Sequence, residues 1–258
     1  MPGWIFLPAG LALILLILPI LGLLARVPWS RLGEVLATPS ALDALRVSLT
    51  TSGVSLMLAV LLGFPLALVL ARLRGPWTAV ARVVAALPMV LPPVVAGLAL
   101  LVTFGRRGLV GQTLSAFGIE IGFTAIAVVL AQTFVALPYF VVSVEGALRT
   151  LDVDYERVAA TLGASPGFTL SRVTVPLLTP SLISGAALAA ARALGEFGAT
   201  LTFAGSLQGV TMTLPQAIYL QREIDPDAAL ALSVVLLGMA TVLVGVTALV
   251  QRKGWRRD

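Results

Sequence analysis

Six stretches of this chain run for about twenty residues with almost no charge, at residues 4–25, 45–71, 83–104, 123–144, 182–203 and 228–250. In hydrocarbon the backbone polar groups must be satisfied internally, and about 20 apolar residues in an α-helix cover the ~30 Å bilayer core. The expected fold is therefore an all-α integral membrane protein with six transmembrane helices. At 59% hydrophobic and 11% charged residues, the chain lacks the polar surface that a soluble globule must show to water. Pro8, Pro19, Pro65 and Pro138 fall inside spans, where membrane helices tolerate proline better than soluble ones do. The first stretch has no basic residue before it and exceeds a signal-peptide core, so it reads as a retained helix. With no internal repeat and no loop long enough for a soluble domain, residues 1–258 read as a single domain.

The net charge of +5 comes from basic residues at the edges of the apolar stretches, a pattern of membrane topology rather than nucleic-acid binding. Alternating the connections puts ten of them on one side, including Arg72, Arg74, Arg82, Arg149, Arg157 and Arg172, and six on the other, from Arg26 to Arg222. The positive-inside rule then makes the first side cytoplasmic and places both termini there. Trp4, Trp29, Trp77 and Trp255 fall at span ends, the usual level of interfacial aromatics in contact with membrane lipid. Cysteine and histidine are absent, which removes disulfides, Cys/His zinc sites, cysteine nucleophiles and Ser-His-Asp triads.

Within the fifth stretch, Arg192 and Glu196 are the only ionisable residues. A charge at the centre of a membrane helix costs roughly 2.5–3.5 kcal/mol on insertion scales, so such residues face a protein interior or a water-filled path. Their spacing suits a mutually neutralising buried pair as well as a gate or support for an anion pathway. An exposed permanent cation in a pore would retain an anion that transport must release, which favours gating or support over tight binding. Pro88, Pro92 and Pro93 cannot all lie in an undisturbed helix: they form the start of span three or break it into a segment that lines a pathway. Pro92, Pro93, Arg192, Glu196 and Thr200 are the pathway or gate candidates. Arg106 and Arg107, just beyond, are either solvated or attract an anion or its carrier.

Between spans four and five, residues 149–180 turn polar. Asp154 can N-cap a short helix, Glu156 suits its first turn, Gly163 its left-handed end, and Pro166 stops it. Tyr155, Val158, Ala159 and Leu162 share one face. Two turns of helix are marginal alone and need a surface, either lipid headgroups or a groove on a cytoplasmic partner.

Gly163, nine residues, then Val173-Thr-Val-Pro176 resembles the cytoplasmic-loop signature of bacterial ABC-importer permeases, E-A-A-x-x-x-G-x9-I-x-L-P. In that register Arg157, Val158 and Ala159 occupy the first three positions, and the leading glutamate is displaced to Glu156. Leu87–Gly97, Phe104–Gly111, Leu194–Thr200 and Thr211–Pro215 are similar to the molybdate-permease branch, and the resemblance runs from about Val47 to Val250. It implies a homodimeric permease in a bacterial or archaeal plasma (inner) membrane. It implies that a coupling helix of Asp154, Tyr155, Glu156, Arg157, Val158, Ala159, Leu162 and Gly163, with Pro176, engages two cytoplasmic ATP-binding subunits. An extracytoplasmic oxyanion-binding protein would deliver the cargo, molybdate in this branch, with sulfate and tungstate as rivals. A P-loop needs Gly-Lys-Ser/Thr after a glycine-led turn, and the only lysine, Lys253, stands between Arg252 and Gly254. No cofactor is expected in this chain, and ATP and magnesium would be bound by the partner ATPase. An ion-coupled secondary transporter using Arg192 and Glu196 as a relay is the rival from another class; an intramembrane hydrolase would lack His, Cys and paired aspartates within a span.

Overall fold

The computed structural model describes residues 2–254, with side chains described up to residue 245. Trp255, Arg256 and Arg257 lie outside the described residues, as do the side chains of Arg252 and Lys253. The helices are α1 (Phe6–Arg26), α2 (Leu32–Leu36), α3 (Pro39–Arg72), α4 (Pro76–Val90), α5 (Pro93–Phe104), α6 (Gly111–Ala116) and α7 (Ala125–Thr150). Then follow α8 (Asp154–Thr161), α9 (Pro166–Thr169), α10 (Val175–Leu194), α11 (Gly198–Ala204), α12 (Leu214–Ile224) and α13 (Pro226–Gly254). No strand occurs among the described residues.

Helices α3 and α7 form the centre. Ser55, Ala59, Gly63 and Ala67 recur every four residues on α3 and are buried, so one narrow stripe of small side chains faces the partner. A Cβ at Gly63 would stand 2.7 Å from the Phe140 ring of α7, which shows how closely the backbones approach. Small residues permit such contact in a bilayer, where lipid is as apolar as leucine and packing must supply the attraction. Helix α10 closes this core through Leu178, Ala189 and Ala193. Ser52, Ser55 and Gln132 form a buried polar group between the two helices: the Ser55 hydroxyl lies 3.0 Å from the Val129 carbonyl and 3.2 Å from Gln132 Oε1, and Gln132 Nε2 donates to Ser52 Oγ at 3.3 Å. Helix α1 stands at the periphery with no buried residue and touches the rest of the fold through α13.

Two of the six expected spans are not single helices. Span three, expected over 83–104, is α4 plus α5, whose axes turn by 116° at the Leu91-Pro92 step. Pro92 and Pro93 explain the break: neither has an N–H to donate back to the preceding turn, and each ring disfavours a helical residue before it. The pair runs the length of α7. Arg82 of α4 meets Glu145 near one end of α7, whereas Ala96 and Leu100 of α5 pack beside Ala127 and Val128 near the other. Span five, expected over 182–203, instead begins at Pro166 and ends at Leu194, and Gly195, Glu196 and Phe197 separate it from α11. At its start Leu170–Thr174 widens into a π-helical turn in which the Val175 amide donates to the Leu170 carbonyl. This lies directly before Pro176, whose missing N–H would otherwise leave a gap in the ladder. The other spans are α1, α3, α7 and α13; the last three are longer than expected, and α1 is offset by a residue or two.

Candidate functional site

Two places bring the sequence-derived candidates together. The first is the end of the molecule that carries α8. The helix ends in a full Schellman arrangement: the Gly163 amide donates to Ala160 O at 3.0 Å and the Ala164 amide to Ala159 O at 3.0 Å. Gly163 sits at φ +83°, the left-handed conformation that glycine adopts without a Cβ clash. The start differs from expectation. Asp154 is the first helical residue, its amide donates to Asp152 Oδ1 at 2.9 Å, and its own carboxylate pairs with Arg157 at 2.9 Å.

Glu156 ties this helix to the membrane part. Its carboxylate accepts from Arg72 at the end of α3 and, at 2.7 Å, from the Thr174 hydroxyl in the π turn. The displaced glutamate of the loop signature thus links three elements, a role that the residue pattern alone did not disclose. Tyr155, Val158 and Leu162, the last 82% exposed, form an uncovered apolar face, with Ala159 half-buried behind it. Pro176 lies in the first turn of α10, beyond the π turn.

The second place is the junction of the two broken spans. A Cβ at Gly198 would stand 2.7 Å from the Pro93 ring, and one at Gly97 2.7 Å from Thr202 Cβ and 2.8 Å from Ala199 O. Helices α5 and α11 therefore press together immediately after their breaks. Arg192 and Glu196 are not on one continuous helix. Arg192 occupies the last turn of α10, where the helix dipole favours a cation, and Glu196 precedes α11, where it favours an anion. They pair at 2.6 Å, and Glu196 Oε1 also accepts from the Ala199 amide at 2.7 Å. Glu196 is 1% exposed and Arg192 26%. Because this carboxylate already takes the Ala199 amide, that amide is not offered to an anion.

Thr200 is fully buried, donates to Phe197 O at 2.9 Å and accepts from Gln216 Nε2 at 3.2 Å. Gln216 also donates to Gly205 O at 3.2 Å, so one buried amide fixes α12 against α11. Pro92 and Pro93 are exposed at the bend. Sequence reasoning missed Phe197, Tyr219 and Arg222. Phe197 lies in the α10–α11 break with its ring 5.1 Å from Tyr219, over which Arg222 stacks at 5.2 Å. They line a cleft of about 510 Å³ with Arg26 and Pro215. Its sequence signals were Arg26 and Arg222 near span ends, both read there as topology charges. At the same end, Arg31 pairs with Asp225 and Asp227 at 3.1 Å each. The Asp225 carboxyl is held below its usual range first by the Ala228 amide and also by Arg31. Among the described residues no cluster of acidic side chains could hold a metal ion.

Five helices long and apolar enough to cross a membrane, a sixth candidate bent at Pro92 and packed on α11, and an amphipathic helix on a loop at one end make the architecture of a multi-pass membrane protein. Residues 59–254 match the family described as the binding-protein-dependent transport system inner membrane component, and the chain belongs to this family of ABC-importer permeases. It is 56% identical over 244 residues to the molybdenum transport system permease protein ModB of Mycobacterium tuberculosis, covering 95% of this chain and 92% of that one. It is 33% identical to the sulfate transport system permease protein CysT of Escherichia coli, over 89% and 84% of the two chains. A bacterial ABC transporter that imports the acidic polysaccharide alginate has the same fold, with TM-score 0.72, 17% identity and coverage of 98% of this chain and 94% of that one.

Proposed function

We propose that this chain is the permease of a molybdate importer, working as a homodimer with two ATP-hydrolysing subunits and an extracytoplasmic binding protein. The observation that carries the cargo is the 56% identity, along nearly the whole chain, to a protein named as a molybdenum transport permease. The exposed Tyr155, Val158 and Leu162 face supports docking into a groove on the ATPase, since an apolar helix face is a common element of such recognition. ATP and magnesium are bound by that partner, and its cycle switches the breaks beside Pro92 and Glu196 between inward and outward access. Alternating access by rocking elements around discontinuous helices is a general transporter mechanism. Arg192, partly exposed and held by Glu196, supports or gates the path.

A sulfate importer is the second reading, favoured by the similarity to CysT; tetrahedral dianions of equal charge are separated by small differences in fit. The test is uptake in vesicles holding the chain with its cognate ATPase and binding protein. ATP-dependent molybdate uptake that excess sulfate inhibits weakly is expected, and preferential sulfate uptake overturns the cargo.

In this reading α8 and both termini are cytoplasmic. With no native cysteine, single thiols can report the orientation. Ser165 and Gln208 are exposed on loops at opposite ends, whereas Ser206 Oγ is buried and suits labelling poorly. In intact cells, an impermeant thiol reagent should label Gln208→Cys and leave Ser165→Cys unmodified until the membrane is opened. The reverse pattern inverts the topology.

A further inference from the structure

A polar cavity of about 490 Å³ opens at the turn between α3 and α4, on the same end of the molecule as α8, and arginines dominate its wall. Arg72, Arg74, Arg82 and Arg149 all line it, together with Thr78. Part of this charge is structural. Buried Glu145 takes Arg82 at 2.8 Å and Arg149 at 3.0 Å, and both guanidinium groups reach Leu70 O near the end of α3, at 3.1 and 3.5 Å. Glu156 takes Arg72. Four cations thus face two carboxylates, and Arg74 has no ion-pair partner among the described residues. The cavity retains two positive charges that its own side chains do not neutralise.

Its rim fixes the kind of anion it meets. Leu73, which lines the cavity, is 59% exposed, and Trp77, the residue before the lining Thr78, is 83% exposed; both stand at a span end, where aromatic and apolar side chains sit at headgroup level. Basic pockets between transmembrane helices at that depth suit phosphate-bearing headgroups. We propose that the cavity binds the phosphate of an anionic lipid headgroup, with the acyl chains lying against Leu73 and Trp77. Arg72 lines the cavity and also holds Glu156 of α8, so an occupant bears directly on the position of that helix. The site does not depend on the cargo, and it rests on the reading that α8 is cytoplasmic, the side where anionic headgroups are concentrated.

Arg74 isolates the ligand from the fold, because its replacement breaks no ion pair. The full-length protein, with whatever subunits remain bound, would be delipidated and titrated with phosphatidylglycerol, phosphatidylcholine, inorganic phosphate or molybdate, with bound ligand read by native mass spectrometry. Phosphatidylglycerol should be retained and phosphatidylcholine not. Arg74→Gln should weaken phosphatidylglycerol binding about fivefold and Arg74→Glu further, since each basic residue near an anionic surface contributes on that order. Arg107→Glu, at the opposite end, should change nothing. Equal retention by wild type and both Arg74 variants overturns the site. Displacement of the lipid by millimolar phosphate or molybdate, or retention of those ions alone, overturns the lipid source in favour of a soluble oxyanion; a cavity sealed by a bound subunit would retain neither and also overturns the proposal.

Discussion

Glu196→Ala is expected to insert into the membrane and yet lose ATP-dependent uptake by at least about tenfold, a change equivalent to ~1.4 kcal/mol. The side chain is fully buried and has two partners, Arg192 and the Ala199 amide. Removing it leaves an uncompensated cation, typically about 3–5 kcal/mol for a buried pair, and an unsatisfied amide at about 1–3 kcal/mol. The first figure falls toward its lower end here because Arg192, at 26% exposure, can turn toward water. Glu196→Gln keeps an oxygen for the Ala199 amide and forfeits only the charge, so uptake and thermal stability should lie between wild type and alanine. Uptake assays paired with unfolding of the purified complex separate the outcomes: equal, full activity in both variants would make the pair a packing feature without a part in transport.

Uncoupling is the expected result of Glu156→Ala. The purified permease should assemble with its ATPase, but substrate-loaded binding protein should no longer stimulate ATP hydrolysis, because α8 loses its ties to Arg72 and Thr174 together. Thr174→Val removes only the hydroxyl contact and should retain part of the stimulation. Gly163→Val attacks the other end of α8 by a different route. A Cβ there would meet open space, so no clash is involved, but φ +83° is strongly unfavourable for a β-branched residue and the Schellman turn should unwind. Normal stimulation in correctly assembled Glu156→Ala would show that motion reaches α8 through some other contact.

Much of this was legible because membrane constraints act locally. Apolar length alone found the five long apolar helices and the bent α4–α5 pair, though it misplaced the start of span five, since each helix must satisfy its own backbone in lipid. The Gly163 turn was equally readable, because a left-handed residue after two helical turns is a steric preference of a few neighbouring positions. The cluster Pro88, Pro92 and Pro93 signalled disturbance of span three, but not where α5 would restart or what it would touch. Span five gave no such warning. Gly195 and Gly198 sit in a stretch of alanines and glycines that reads as close packing, and nothing local separated a continuous helix from a broken one.

The sequence by itself determined the class of molecule: an all-helical multi-pass membrane protein with a short amphipathic helix on the loop before span five. Hydropathy and backbone sterics are properties of contiguous residues and need no partner to be read. Only the tertiary structure decided that Arg192 and Glu196 straddle a break rather than share a helix face, because that break is held by Pro93 pressing on Gly198 and Gln216 bonding Thr200. It likewise decided that Glu156 belongs to Arg72, 84 residues away, and that Arg82 and Arg149 meet on Glu145. Those pairings depend on which helix ends are brought together, and no local pattern of charge specifies that.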